Sequence, residues 1–139
     1  MALNTLVVDD SSVMRTIIIK TLRLAGLPLG DIWEAKNGEE GLRILQEHWV
    51  DLAMIDIHMP VMDGEEMLTK VRENEPYKSL PVIVVSSESD PDRIEKMLGL
   101  GATFIHKPFT PKVLKEIIVD VTGVNYENEN GKDSGRSGD

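Results

Sequence analysis

Leu52-Ala53-Met54-Ile55-Asp56-Ile57-His58-Met59-Pro60-Val61-Met62-Asp63-Gly64 is an apolar run that stops on a carboxylate and passes into a loop. The first four residues are apolar at consecutive positions, without the alternation of a half-solvated strand. Such a run fits a strand covered on both faces, as in a parallel sheet flanked by helices. Pro60 and Asp63-Gly64 then punctuate the loop, and a helix is expected over Glu65 to Asn74. Asp56 therefore falls at the carboxyl end of a buried strand.

The rest of the chain repeats this unit. Leu3 to Val8 and Pro81 to Val85 are nearly continuous apolar runs, the second rich in β-branched residues. Ile32-Trp33-Glu34-Ala35 and Thr103 to Ile105 read as weaker or shorter strands. Helical patterns fall between them. One covers Ser12 to Ala25, with Val13, Ile17, Leu22 and Leu24 among its apolar positions, Ser11 or Ser12 at its start and Gly26 past its end. Others cover Gly38 to His48, capped by Asn37 with Leu42 and Leu45 inward, and Pro91 to Leu100. The last covers Pro111 to Val121, with proline in the first turn. Strands alternating with helices predict an α/β fold with a parallel sheet covered on both faces.

The composition bounds the rest. At 139 residues the chain has the length of one domain, with 41% hydrophobic and 28% charged residues. It has no cysteine, which excludes disulfides, thiolate nucleophiles and Cys-built metal centres. A net charge of −9 speaks against a direct nucleic-acid partner, because such binding depends on neutralising phosphates. No apolar run approaches a membrane span and the first residues carry no secretory pattern, so no membrane partner and a cytoplasmic location are expected. Residues 1–124 are expected to form the domain. Residues 125–139, polar apart from Tyr126, are expected to be a disordered tail or the start of a linker.

The chemistry lies at the carboxyl ends of the strands. The first run ends in Asp9-Asp10, the third in Asp56, the fourth in Ser86-Ser87 and the fifth in His106-Lys107-Pro108. In an open α/β sheet, ligand groups gather beyond the carboxyl ends of the strands, near the point where strand order reverses. Singly, each residue has an ordinary use. An Asp after a strand caps a helix, a serine caps or turns, and a lysine is solvated. Asp63-Gly64 reads as turn and cap. His48, His58 and His106 lack metal-ligand spacing with one another, and Met54, Met59 and Met67 suit core filling. Together, the strand ends supply complementary parts of one reaction. Three converging carboxylates repel, which raises a pKa unless a cation enters. Such hard oxygen ligands suit Mg²⁺, whose shell phosphate oxygens complete. An Asp can accept a phosphoryl group, a lysine can add charge to its oxygens and the Ser86 hydroxyl can donate to one of them.

At these residues the sequence resembles the receiver domain of two-component response regulators, in particular its CheY-like chemotaxis branch. The resemblance covers residues 4–122 and rests on Val7-Val8-Asp9-Asp10-Ser11, on Asp56 to Gly64, on Val84-Val85-Ser86-Ser87-Glu88 and on Lys107-Pro108-Phe109. It implies a flavodoxin-like, doubly wound sheet of five parallel strands in the order 2-1-3-4-5 with five helices. It also implies Asp56 as phosphoryl acceptor and Mg²⁺ held by Asp10 and Asp56, with Asp9 assisting through water and His58 offering its backbone carbonyl. Ser86 and Phe104 stand at the family's switch positions, Lys107 at the residue that contacts the phosphoryl group, and the Lys107–Pro108 bond is implied to be cis. His58 and Glu88 lie where side chains tune the phosphoryl lifetime. Phe104 has no hydroxyl where the chemotaxis branch often has Tyr.

The function so implied is a signalling receiver rather than an enzyme, promoting only its own aspartyl phosphorylation and dephosphorylation. A sensor histidine kinase would donate the phosphoryl group. An output or target protein would bind the surface of the fourth helix and fifth strand. The alternative is a Mg²⁺-dependent phosphatase with an Asp nucleophile, of haloacid-dehalogenase-like type. That chemistry wants a second acid two residues past the nucleophile, where this chain has His58.

Overall fold

The computed structural model describes residues 2–124. The expected tail, 125–139, lies outside the described residues. Five strands alternate with five α-helices: β1 (Leu3–Val8), α1 (Ser12–Leu24), β2 (Leu29–Ala35), α2 (Gly38–Glu47), β3 (Leu52–Ile55), α3 (Gly64–Glu73), β4 (Val82–Ser86), α4 (Pro91–Gly99), β5 (Thr103–His106) and α5 (Pro111–Thr122). The strands form one parallel sheet in the order β2-β1-β3-β4-β5. The order reverses between β1 and β3, so a crevice opens where Asp9, Asp10 and Asp56 leave the sheet.

Side chains of successive strand residues point to opposite faces, and the nearly continuous apolar runs feed two cores. Leu6, Val8, Ala53, Ile55, Val82 and Val84 pack beneath α2, α3 and α4 with Leu45, Met67, Leu68 and Met97. Leu3, Val7, Leu52, Met54, Ile83 and Val85 pack beneath α1 and α5 with Ile18, Leu22, Leu114 and Ile118. Of the apolar positions expected along α1, Leu22 is buried, whereas Val13, Ile17 and Leu24 are exposed.

Four helices start at the expected residue, and α3 starts one residue earlier, at Gly64. Ser11, Asn37, Asp63, Asp90 and Thr110 are N-caps whose side chains accept a backbone N–H of the first turn. Strand limits differ more. β2 begins at Leu29, three residues before the expected start at Ile32, because the Asn4 side chain accepts from the Asp31 amide (3.0 Å) and the register with β1 shifts between Leu3 and Thr5. A 3₁₀ turn at Glu75–Tyr77 has no counterpart in the sequence pattern. Arg72 organises it, donating from one guanidinium nitrogen to the carbonyls of Tyr77, Lys78 and Leu80 and from Nε to Leu100 across to α4. Among the described residues no helix is long and apolar enough to cross a membrane.

Candidate functional site

Two backbone bonds set the acids at the end of the sheet. The Asp56 amide donates to the Val8 carbonyl (2.9 Å) and the Asp9 amide to the Ala35 carbonyl (3.0 Å), extending the ladders by one residue. The β1–α1 turn then folds back on Asp9. Its Oδ1 accepts from the Ser11 amide (2.9 Å), and its carbonyl accepts from the Arg15 guanidinium (2.6 Å). Asp9 and Asp56 are buried, and Asp10 faces solvent. Carboxylate oxygens of Asp9, Asp10 and Asp56 lie within 4.8 Å of one another, an arrangement that could hold a metal ion. Three hard oxygen donors at a solvent-facing crevice fit a small divalent cation such as Mg²⁺.

Lys107 closes the other side. Its Nζ stands 3.4 Å from Asp9 Oδ2 and 3.7 Å from Asp56 Oδ1, with one-fifth of the side chain exposed. It is held from the backbone as well, because its amide donates to the Ser86 carbonyl (3.0 Å) and its peptide with Pro108 is cis. Burial pushes the Asp56 carboxyl up from its ordinary value. The Lys107 ammonium opposes that shift and the Asp9 carboxylate adds to it.

Ser86 is fully buried at the end of β4, and its Oγ accepts from the Glu88 amide at 3.2 Å. Glu88 in turn joins two loops, accepting at Oε1 from His58 Nε2 (2.9 Å). The amide of Asp90 foremost, with the His58 ring and the amide of Ser89, holds the Glu88 carboxyl below its usual range against the opposing effect of desolvation. The Glu88 carbonyl accepts from His106 Nε2 (3.1 Å), whose ring packs 4.7 Å from that of Phe104 at a tilt of 59°. Phe104 is half-buried against the core beneath α2, α3 and α4.

The strand-end residues singled out in the sequence are thus brought to one end of the sheet. Asp63 is the α3 cap, and Met54 and Met67 are core, as the sequence predicts. His48 stacks on Trp33, with ring centroids 4.6 Å apart. Three contributors have no role in the sequence reading of the site. Arg15 grips the Asp9 carbonyl, six residues away. Gly64 lies against the backbone of Asp56 and Ile57, and its amide donates to the Ile57 carbonyl (2.8 Å). Arg93 sits among Asp63, Glu65 and Glu88. Only Gly64 has a local signal, the Asp-Gly pair. The two arginines act over separations that helical or strand periodicity does not encode.

Comparison with known proteins agrees with this architecture. The family model described as the response regulator receiver domain matches residues 5–119. A chemotaxis protein CheY homolog of Campylobacter jejuni is 42% identical over 120 residues, which cover 85% of this chain and 91% of that one. Chemotaxis protein CheY1 of Helicobacter pylori is 39% identical over 122 residues, covering 86% and 97%. The crystal structure of Vibrio cholerae chemotaxis protein CheY4 superimposes with a TM-score of 0.77 at 32% identity, covering 87% of this chain and 99% of that one. The alternative of a haloacid-dehalogenase-like phosphatase finds no support in these likenesses. With an Asp-Asp pair after β1, an Asp after β3, a buried Ser ending β4 and a Lys after β5, on a sheet ordered 2-1-3-4-5 and matched by the family model over 5–119, the chain belongs to the response regulator receiver domain family and is of the CheY type.

Proposed function

We propose that Asp56 takes a phosphoryl group from a sensor histidine kinase and that the protein then signals by binding a different partner, in chemotaxis or a related two-component pathway. An Asp56 carboxylate oxygen forms the new O–P bond as the bond from phosphorus to the kinase's histidine nitrogen breaks. The observation that carries this reading is the Lys107 ammonium between Asp9 and Asp56, where a phosphoryl oxygen on Asp56 would meet a positive charge. Mg²⁺, when bound, neutralises charge on the transferring phosphoryl oxygens. Asp10 and Asp56 would hold it directly, with Asp9 through water and the His58 carbonyl as a further ligand. The Ser86 hydroxyl would donate to a phosphoryl oxygen. Its oxygen already accepts from the Glu88 amide while its proton stays available, so a move toward the phosphoryl group would draw on the start of the β4–α4 loop.

That pull links chemistry to output. The vacated space beside Ser86 favours an inward Phe104, and the surface made by α4 and β5 changes for a target protein. A modification shifts such an equilibrium only by interacting differently with its two states. Ser86 supplies that difference, since a phosphoryl oxygen is there to accept its proton only in the phosphorylated state. The chain promotes its own phosphorylation and dephosphorylation. The test is intact-mass spectrometry after incubation with acetyl phosphate and Mg²⁺. One phosphoryl adduct per chain is expected, absent in Asp56→Asn and absent without Mg²⁺. An undiminished adduct in that variant would move the acceptor elsewhere.

A further inference from the structure

The β3–α3 and β4–α4 loops flank Asp56, and the His58–Glu88 bond joins them at 2.9 Å. Glu88 sits on the second loop, two residues past Ser86, and its Oε2 accepts from the amides of Ser89 (3.2 Å) and Asp90 (3.0 Å). Across from it, on α4, the Arg93 guanidinium lies among three acids. Its Nε is 3.5 Å from Glu65 Oε1 and 3.9 Å from Glu88 Oε1, and a terminal nitrogen is 3.6 Å from Asp63 Oδ2. Nε is buried and has no hydrogen-bond partner, the one such side-chain atom found among the described residues. A buried donor without an acceptor costs stability, so the cation is held here by the field of three carboxylates rather than by one directed bond.

Two of those carboxylates belong to the start of α3, where Asp63 is the N-cap and Glu65 lies in the first turn. The third is Glu88. Without the cation the three would repel, and Glu88, on the loop, would be pushed away from α3. Glu65 would keep Lys96, whose Nζ is 2.5 Å from its Oε2. Among the described residues Glu88 has no lysine of that kind beside it and leans on His58.

We infer that Arg93 is a positioning residue for the chemistry at Asp56: it anchors the Glu88 carboxylate to the start of α3, keeping the His58–Glu88 bridge closed over the β4 side of the acceptor and slowing the entry of water. The inference rests on Asp56 being the phosphoryl acceptor. The step it governs is hydrolysis. A water oxygen bonds to phosphorus, the Asp56 Oδ–P bond breaks, the carboxylate leaves, and the water proton passes to solvent as inorganic phosphate departs.

The test follows decay of the adduct by intact-mass spectrometry after acetyl phosphate is removed, in wild type, Arg93→Gln, Glu88→Gln and the double variant. Residues in one ion-pair network couple strongly enough for Arg93→Gln to speed decay about threefold or more. The same change adds nothing in the Glu88→Gln background, and Arg93→Lys, which keeps the charge, decays at an intermediate rate. A second readout needs no phosphate. Hydrogen exchange at His58 Nε2, followed by NMR, quickens in Arg93→Gln if Arg93 keeps the bridge closed. Equal acceleration of decay in both backgrounds overturns the inference while leaving the acceptor in place, as does an unchanged lifetime with unchanged exchange. Absence of any adduct in the wild type overturns the acceptor reading and this inference with it.

Discussion

Gly64 has no room for a side chain because the carbonyl oxygen of Asp56 occupies the place where its Cβ would stand. The Cα of Ile57 crowds the same space, and the Gly64 amide donates to the Ile57 carbonyl at 2.8 Å. The first residue of α3 is thereby packed against the backbone of Asp56, so the β3–α3 loop cannot drift without moving that carboxylate.

Gly64→Ala should therefore unfold more easily. The obstructing atoms are backbone and cannot rotate aside, so the loss is at least the about 1–3 kcal/mol typical of overpacking. Gly99→Ala is the control. At the last residue of α4 an added Cβ meets nothing within 4 Å. There the smaller backbone entropy of alanine in the unfolded chain should yield a gain of about 0.4–1 kcal/mol. Urea midpoints at constant slope measure both, and equal midpoints for the two variants would contradict the packing argument.

Charge at Asp56 gives a second expectation. Burial raises its pKa in the folded protein, with Lys107 opposing and Asp9 reinforcing. A raised folded value for an acid means that the ionised form is disfavoured by folding. The cost to stability is present above that value and disappears as pH falls through it. Asp56→Asn should melt a few degrees higher than wild type at neutral pH in the presence of a chelator. The advantage should shrink on the acid side. Thermal melts across that range check it, and an advantage that grows with acid would reverse the sign.

The fold is legible in the sequence because its strongest signals are local. Nearly continuous apolar runs at Leu3–Val8 and Leu52–Ile55, each followed by an acid, point to a doubly covered sheet, and caps such as Ser11 and Asn37 mark helix starts. The start of β2 is less legible because a single side chain, Asn4, extends the pairing from the neighbouring strand. The acids, the serine and the lysine are legible because each lies at or directly after the end of a strand. Their closeness is not written in any one of them, since residues 9, 56 and 107 meet only through the strand order. Arg93 is the limiting case. On α4 it reads as a solvated charge, and its three acid neighbours come from three separate places, the α3 cap, the first turn of α3 and the β4–α4 loop.

Metal addition provides a third expectation. Carboxylates within 4.8 Å of one another repel until a cation enters, so Mg²⁺ should stabilise the folded state by mass action. The gain is about 2.7 kcal/mol at a hundred times the dissociation constant, and a chelator should remove it. Asp10→Ala should reduce this gain and raise the stability of the metal-free protein by removing one of the repelling charges. Melting curves recorded over a Mg²⁺ titration test both statements. A wild type indifferent to Mg²⁺ well above physiological concentration would mean that the acids serve another purpose.

The last expectation concerns how phosphorylation reaches the surface. Ser86 Oγ accepts from the Glu88 amide, the Glu88 carbonyl accepts from His106, and the His106 ring lies against Phe104. Under the proposed switch, a pull on the Ser86 hydroxyl reaches Phe104 along this chain. Phe104 lacks a hydroxyl, so turning inward rewards it only with apolar burial. Full burial of such a side chain is worth about 1.5–3 kcal/mol, enough to shift a balanced equilibrium by a factor of about ten or more. The ring is half-buried as it stands, which leaves part of that gain still to be made. Ser86→Ala removes the hydroxyl and leaves Asp56 and Lys107 in place. It should accept phosphate and show a smaller phosphorylation-induced NMR shift at Phe104 than the wild type. The Glu88 amide, having lost its acceptor beforehand, should move less as well. Equal shifts in the two proteins would show that Ser86 transmits nothing, and Phe104 would then be ordinary core at the end of β5.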